Sequence, residues 1–320
     1  MRAVLIGGCL AAGSALAADP PVLQFPLDCT LGETCFIEDY VDHDPDPGKI
    51  SDFACGLNTR DSHKGTDIAL LRFDDIEAGV TVRAAAPGRV WRTRDGMRDD
   101  WREKPGVTAE NACGNAVILD HGDGWQSVYC HLRQGSIRVA DGDRVYAGAA
   151  LGLVGLSGRT THPHLHLSLY RNGALVDPFR PDGGDGCGPA GASLWADPPA
   201  YHATLLRRAG FSDHVPDHDD LRDGSARRDR IAPDAPLVVY AEAGHARPGD
   251  QITITATGPE GEIFRDTRIL SDPKPSQLPA FGRKAPPGGW PEGAYLGEIL
   301  LTRAGLVIAH RFAHVKVAGP

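Results

Sequence analysis

An all-β fold in two parts is predicted for this chain by three observations. Between Val80 and Asp177 short runs rich in Val, Ile, Leu, Thr and Tyr are separated by Gly, Asp-Gly and Asn-Gly turn signals. A second set of such runs begins at Ile231, beyond a charged stretch with no strand pattern. The length of 320 residues fits about two domains, and a hydrophobic content of 41% is enough for real cores.

In chain order, Met1-Arg2, an apolar run from Ala3 to Ala12 and the small-x-small triplet Ala15-Leu16-Ala17 have the layout of a secretory signal over residues 1–17. The run is too short to span a membrane, which takes about 20 apolar residues. Cys9 faintly matches a lipoprotein box. Residues 18–52, rich in Pro and Asp around VDHDPDPGK, read as an ordered arm or lid stapled by cysteines. Residues 53–198 hold the first set of strands: VTVRAAAPGRVWRT, NAVILDHG, QSVYCHL, DRVYAGAALGLVG and HLHLSLYRNGALVDP. The patternless insert from Trp101 to Cys113 is expected to be a loop at the rim of a groove. His121, beside Gly122 and Gly124, belongs to a hairpin tip.

Residues 199–230 read as a short helix, Ala200 to Arg208, followed by a charged linker. His214 and His218 stand there at helical spacing, but Pro216 and the surrounding acids make them a solvated pair rather than ligands. Residues 231–320 contain five runs, PLVVYAEA, DQITITATG, EIFRDTR, YLGEILLTR and LVIAHRFAHVKV, which predict a small β-sandwich, immunoglobulin-like in general architecture. His310 and His314 are expected on strand surfaces.

A net charge of −9 provides no broad basic surface, which argues against nucleic acid as a partner. Six cysteines follow the signal: Cys29, Cys35, Cys55, Cys113, Cys130 and Cys187. An even number in an exported chain predicts disulfides in an oxidising compartment, periplasmic or extracellular. Six cysteines allow fifteen pairings, and Cys29 with Cys35 is the short-loop choice.

The chemistry concentrates in two motifs. In THPHLHLSLY, His164 and His166 are two residues apart, so on a strand they share a face. Upstream, HKGTD sets His63 four residues before Asp67, with Gly65 allowing a tight backbone. Two imidazoles and a carboxylate, with a fourth position for water, are the ligand count of a catalytic zinc site. A third element, Tyr129-Cys130-His131-Leu132, ends a strand-like run.

The order HKGTD, YCHL, HPHLH resembles the zinc peptidases of the M23 type, the lysostaphin and LytM-like family that cuts peptide bonds in peptidoglycan, over roughly Phe53 to Phe179. The resemblance implies an M23-type antiparallel catalytic domain binding one Zn²⁺ per chain through His63, Asp67 and His166, with His131 and His164 as catalytic residues. Tyr129, alternating with His131, is a candidate for the rim of the site, and His162 takes no role. Latent relatives suggest two ways of blocking the site here, Asn58 or the segment from Asp42 to Asp46 with His43. The substrate implied is a peptidoglycan peptide, with cell wall or a protein as partner of the C-terminal domain. The alternative is a non-enzymatic LytM-like regulator; degenerate members of that kind lack ligands, whereas His63, Asp67 and His166 are all present.

Overall fold

The computed structural model describes residues 19–71, 75–100, 106–183, 186–188, 191–271 and 274–319. The signal expected over residues 1–17, Cys9 included, and the start of the insert at residues 101–105 lie outside the described residues. Strands dominate, and the sheets are antiparallel except for one short pair. Among the described residues no helix is long and apolar enough to cross a membrane.

The N-terminal half contains β1 (Cys35–Asp39), β2 (Thr66–Leu70), the one-turn helix α1 (Asp75–Ala78), β3 (Thr81–Arg83), β4 (Gly88–Arg94), β5 (Asn115–Gly122), β6 (Trp125–Leu132), β7 (Arg144–Val145), β8 (Ala150–Leu153), β9 (His164–Arg171) and β10 (Ala174–Val176). One sheet runs β1-β2-β9-β6-β5-β4-β7, with β10 added to β9, and β3 pairs with β8 in a second, two-stranded sheet. Ile68, Val117, Leu119, Tyr129, Leu151, Leu165, Leu167 and Leu169 fill the core. Strand β2 is buried along its whole length because β1 covers its outer edge.

The segment read as an arm or lid over residues 18–52 supplies that edge strand and carries the Cys29–Cys35 staple. Phe36 and Ile37 are buried, and the segment completes the sheet beside β2. The acidic loop that follows is shaped by its own carboxylates: Asp42 accepts the backbone N–H groups of Asp44, Ser51 and Ser62. His43 lies 2.7 Å from Asp177.

The C-terminal half contains β11 (Leu205–Ser212), α2 (His218–Asp223), β12 (Arg230–Ile231), β13 (Leu237–Gly244), β14 (Gln251–Gly258), β15 (Gly261–Ile269), β16 (Ser276–Gln277), β17 (Ala280–Arg283), β18 (Gly293–Arg303) and β19 (Leu306–Val317). Strands β11, β13, β16 and β17 form one sheet and β12-β19-β18-β14-β15 the other. The sheets meet face to face around Phe211, Val239, Ile254, Tyr295, Ile299 and Val315. A Cβ at Gly297 would meet Phe211 and Val239 at 3.2 Å, so this position stays small where the layers touch.

The helix expected over Ala200–Arg208 is not formed. Leu205–Ser212 pairs along its length with β13 and buries Leu206 and Phe211, and sheet pairing outweighs the local helical preference of Leu and Arg. The helix of this region is α2, where Asp217 caps the N-terminus by accepting the N–H groups of Asp219 and Asp220, and Gly224 closes the other end at φ 82°. His214, 3.2 Å from Asp220, joins this capping network, while His310 meets Glu298 on an exposed sheet face and His314 is exposed.

All six cysteines pair: Cys29–Cys35, Cys55–Cys187 and Cys113–Cys130. The second closes 132 residues and so restricts the unfolded chain most. Thiol titration of the denatured protein lacking residues 1–17 is expected to find no free thiol, and two or more would contradict the pairing. Opening Cys55–Cys187 with paired serines is expected to destabilise the fold by about 2–5 kcal/mol in denaturant titrations.

Candidate metal centre

The register of β2 on β9 sets Asp67 directly across from His166 and Ala69 across from His164. Partners across an antiparallel pair share a face, as do residues two apart, so Asp67, His164 and His166 project together. His63 enters from the turn before β2, where Ser62 has φ 62° and the His63 N–H donates to Arg60 O. Gly65 has a steric role. A Cβ there would stand 2.7 Å from the His166 ring and 2.7 Å from Leu167 O, so the chain passes too close for any side chain.

Outer hydrogen bonds fix where each ring carries its proton. His63 Nδ1 donates to Tyr40 O at 2.7 Å, leaving the Nε2 lone pair 3.1 Å from Asp67 Oδ2. Ser168 gives its hydroxyl proton to Lys64 O, so its oxygen accepts from His166 Nε2–H at 2.9 Å. His166 Nδ1 then turns a lone pair on Asp67 Oδ1 at 2.7 Å. Ligand atoms of His63, Asp67 and His166 all lie within 4.8 Å of one another. Acceptors facing acceptors at such distances, around a carboxylate with no solvent exposure, form a site that a cation satisfies. Two nitrogens and an oxygen are donors of the kind zinc takes.

Burial alone would raise the Asp67 carboxyl, but His164, His63 and His166 around it hold it well below the usual carboxylate range. Burial lowers His63, but the charge of Asp67, its hydrogen bond and that of Tyr40 O together leave the ring raised. Burial lowers His166 despite the same carboxylate. Arg60, which the motifs did not single out, reaches the same place. Its guanidinium donates to Asp67 Oδ2, approaches His63 Nε2 at 3.3 Å and pairs with Asp39 at 2.7 Å.

Two further imidazoles close the group. His164 donates Nδ1–H to His162 O at 2.8 Å, which leaves Nε2 3.6 Å from Asp67 Oδ2. The His131 ring centroid is 4.7 Å from that of His164 and 6.1 Å from that of His166. His131 has φ 63°, a strained conformation for a non-glycine residue. Three bonds hold it: its N–H to Cys113 O, its carbonyl from Gly155 N–H, and its Nδ1–H to Ser157 O at 2.8 Å. Nε2 is therefore the unprotonated nitrogen, and burial together with His164 keeps the ring well below its ordinary pKa.

This backbone turn corrects the reading of Tyr129. Strict alternation would put Tyr129 and His131 on one face, but the positive φ redirects His131 to the histidine cluster. Tyr129 stays fully buried in the core, its hydroxyl accepting from Ala85 N–H and Ser127. Neither candidate for a blocking group enters the site. Asn58 is buried with its amide on His202 O, and the loop bearing His43 is held on Asp177. His162 is structural: Nε2 donates to Leu70 O at 2.6 Å, tying the entry of β9 to the end of β2, and Arg208 of β11 packs on the ring. His121 bridges Pro87 O and Ser127 at its hairpin, as expected. Ser168 and Arg60 went unnoticed in the sequence, although Ser168 repeats the two-residue spacing of the histidines.

Comparison with known proteins agrees with this geometry. Residues 61–178 match Peptidase family M23, so the chain carries a domain of that family. DD-carboxypeptidase/endopeptidase Mpg of Neisseria meningitidis is 34% identical over 122 residues, which cover 38% of this chain and 23% of that protein. Peptidoglycan DD-endopeptidase ShyA of Vibrio cholerae is 31% identical over 118 residues, 37% of this chain and 22% of the relative. The match thus spans less than a quarter of either relative. Among solved structures, the catalytic domain of the prophage-encoded M23 protein EnpA from Enterococcus faecalis overlaps 46% of this chain and 92% of its own at 29% identity, with a TM-score of 0.30.

Gly65→Ala tests the packing of the site. The added methyl meets a ring and a carbonyl that have no room to give, and the variant is expected to lose about 1–3 kcal/mol in denaturant unfolding. A parental midpoint would show that the close approach is not a constraint.

Proposed function

We propose that the protein is an exported zinc metalloendopeptidase that hydrolyses peptide bonds in peptidoglycan stem or cross-bridge peptides. The observation that carries this reading is the convergence of three ligand groups, His63 Nε2, Asp67 and His166 Nδ1, within 4.8 Å of one another. These three residues are assigned as the ligands of one zinc ion. Zinc, when bound, supplies a Lewis acid for the scissile carbonyl and lowers the pKa of a water.

The protein's own groups supply the rest. Ser168 and Tyr40 O hold the two ligand rings in the tautomers that metal binding requires. His131 and His164 each commit Nδ1 to a backbone carbonyl and keep Nε2 for the reacting group. Because burial holds His131 neutral, its Nε2 is ready to take a proton from the attacking water and return it to the leaving amine. His164, beside Asp67, would steady the charge that develops on the carbonyl oxygen when its Nε2 carries a proton. No side-chain nucleophile is needed. Three disulfides suit an oxidising compartment, periplasmic or extracellular, and the name of ShyA supports peptidoglycan as substrate.

Metal analysis of the purified protein is expected to give one zinc per chain, lost in His63→Ala and in His166→Ala. Full occupancy in both variants would refute the ligand set. Ser168→Ala is expected to weaken zinc about ten- to a hundredfold in chelator competition, since it frees the proton-bearing nitrogen of His166. His131→Ala and His164→Ala should keep zinc and lose about a hundred- to ten-thousandfold in the rate of release of new termini from sacculi, followed by mass spectrometry. Parental rates in both would favour a non-enzymatic role.

A further inference from the structure

Beside the histidine cluster lies a cavity of about 450 Å³, whose walls include His164, Arg60, Asp39, Glu38, Thr160 and Arg159. Its volume is in the range of small-molecule sites, about 300–1,000 Å³. The charges on its walls are unequally matched. Arg60 faces Asp39 and Asp67, and Glu38 lies 3.7 Å from Arg207. Arg159 is exposed and forms no ion pair with any described residue. Among the described residues, one unmatched positive charge therefore remains at the wall.

The backbone beneath that arginine is rigid. Its N–H donates to Ala112 O at 2.7 Å, beside the Cys113–Cys130 disulfide. Gly158 before it has φ 81°, and a Cβ there would stand 2.3 Å from Ala112 O. Thr160 after it is held by His162 O. A planar fork of N–H donors carried on a held backbone matches a carboxylate better than the point charge of a lysine would.

We propose that this cavity is a specificity subsite in which Arg159 pairs with a free carboxylate on the substrate residue adjoining the scissile bond. The inference rests on the peptidase reading above and narrows it. Preferred substrates are bonds whose neighbouring residue keeps its own carboxylate, such as a C-terminal residue or a cross-link to an amino-acid centre that is still acidic. A peptide continued as amides on both sides, of the polyglycine kind, offers Arg159 no partner.

Binding to the zinc-loaded full chain tests the subsite without relying on turnover. The probes are the ketomethylene isostere of acetyl-D-alanyl-D-alanine, which cannot be cleaved, and its C-terminal carboxamide, both titrated by calorimetry. The parent protein is expected to bind the acid about tenfold or more tightly than the amide. Arg159→Ala should bind both with the affinity the parent shows for the amide, and Arg159→Lys should keep part of the difference, with zinc content and melting temperature unchanged in each. An equal affinity of the parent for the two probes, or an undiminished difference in Arg159→Ala, would overturn the subsite. Failure of the parent to cleave the corresponding amide-linked peptides would instead count against the peptidase reading and leave the binding difference standing.

Discussion

A carboxylate with no exposure to water organises the N-terminal half of this protein. Asp67 is ringed by His63, His164 and His166 and takes a hydrogen bond from the Arg60 guanidinium, and an unpaired charge in that position would cost several kcal/mol. The arrangement requires β2 to meet β9 at a single register. A slip of one residue would send His164 and His166 into the apolar core and bring Leu165 and Leu167 to the site. The hydrophobic alternation of β9 and the polar convergence on Asp67 thus specify the same pairing, and β1, closing the edge of β2, keeps water from the carboxylate.

Around this centre the hydrogen bonds to the far sides of the rings do as much as the rings themselves. Tyr40 O, Ser168, His162 O and Ser157 O each take one N–H, so every histidine presents one defined nitrogen inward. Three of those four acceptors are backbone carbonyls. For His63, His131 and His164 the position of the proton is therefore written into the course of the main chain, whereas that of His166 depends on the Ser168 side chain.

The sequence revealed the parts of the fold governed by short-range rules. His164 and His166 share a face because strands alternate, the turn signals marked most strands between Val80 and Asp177, and the shortest cysteine pair is joined. What escaped depends on contacts distant in sequence. Ala200–Arg208 reads as a short helix, yet from Leu205 the chain becomes a strand because β13, some thirty residues later, offers an edge to it. Residues 18–52 lack periodicity, yet Cys35–Asp39 becomes the strand that seals β2. His131 reaches the site through one positive φ, which no alternation rule contains, and the same rule misassigned Tyr129. Arg60 was invisible as a participant because nothing in its spacing distinguishes a long side chain folded back on a carboxylate from one in solvent.

The Cys113–Cys130 disulfide adjoins the strained residue, since Cys130 precedes His131 and Cys113 O receives its N–H. The segment around residue 113 is thus tied to β6 both by sulfur and by the pairing of Asn115 with Leu132, and a covalent bond one residue away backs the left-handed turn that carries His131 into the histidine cluster.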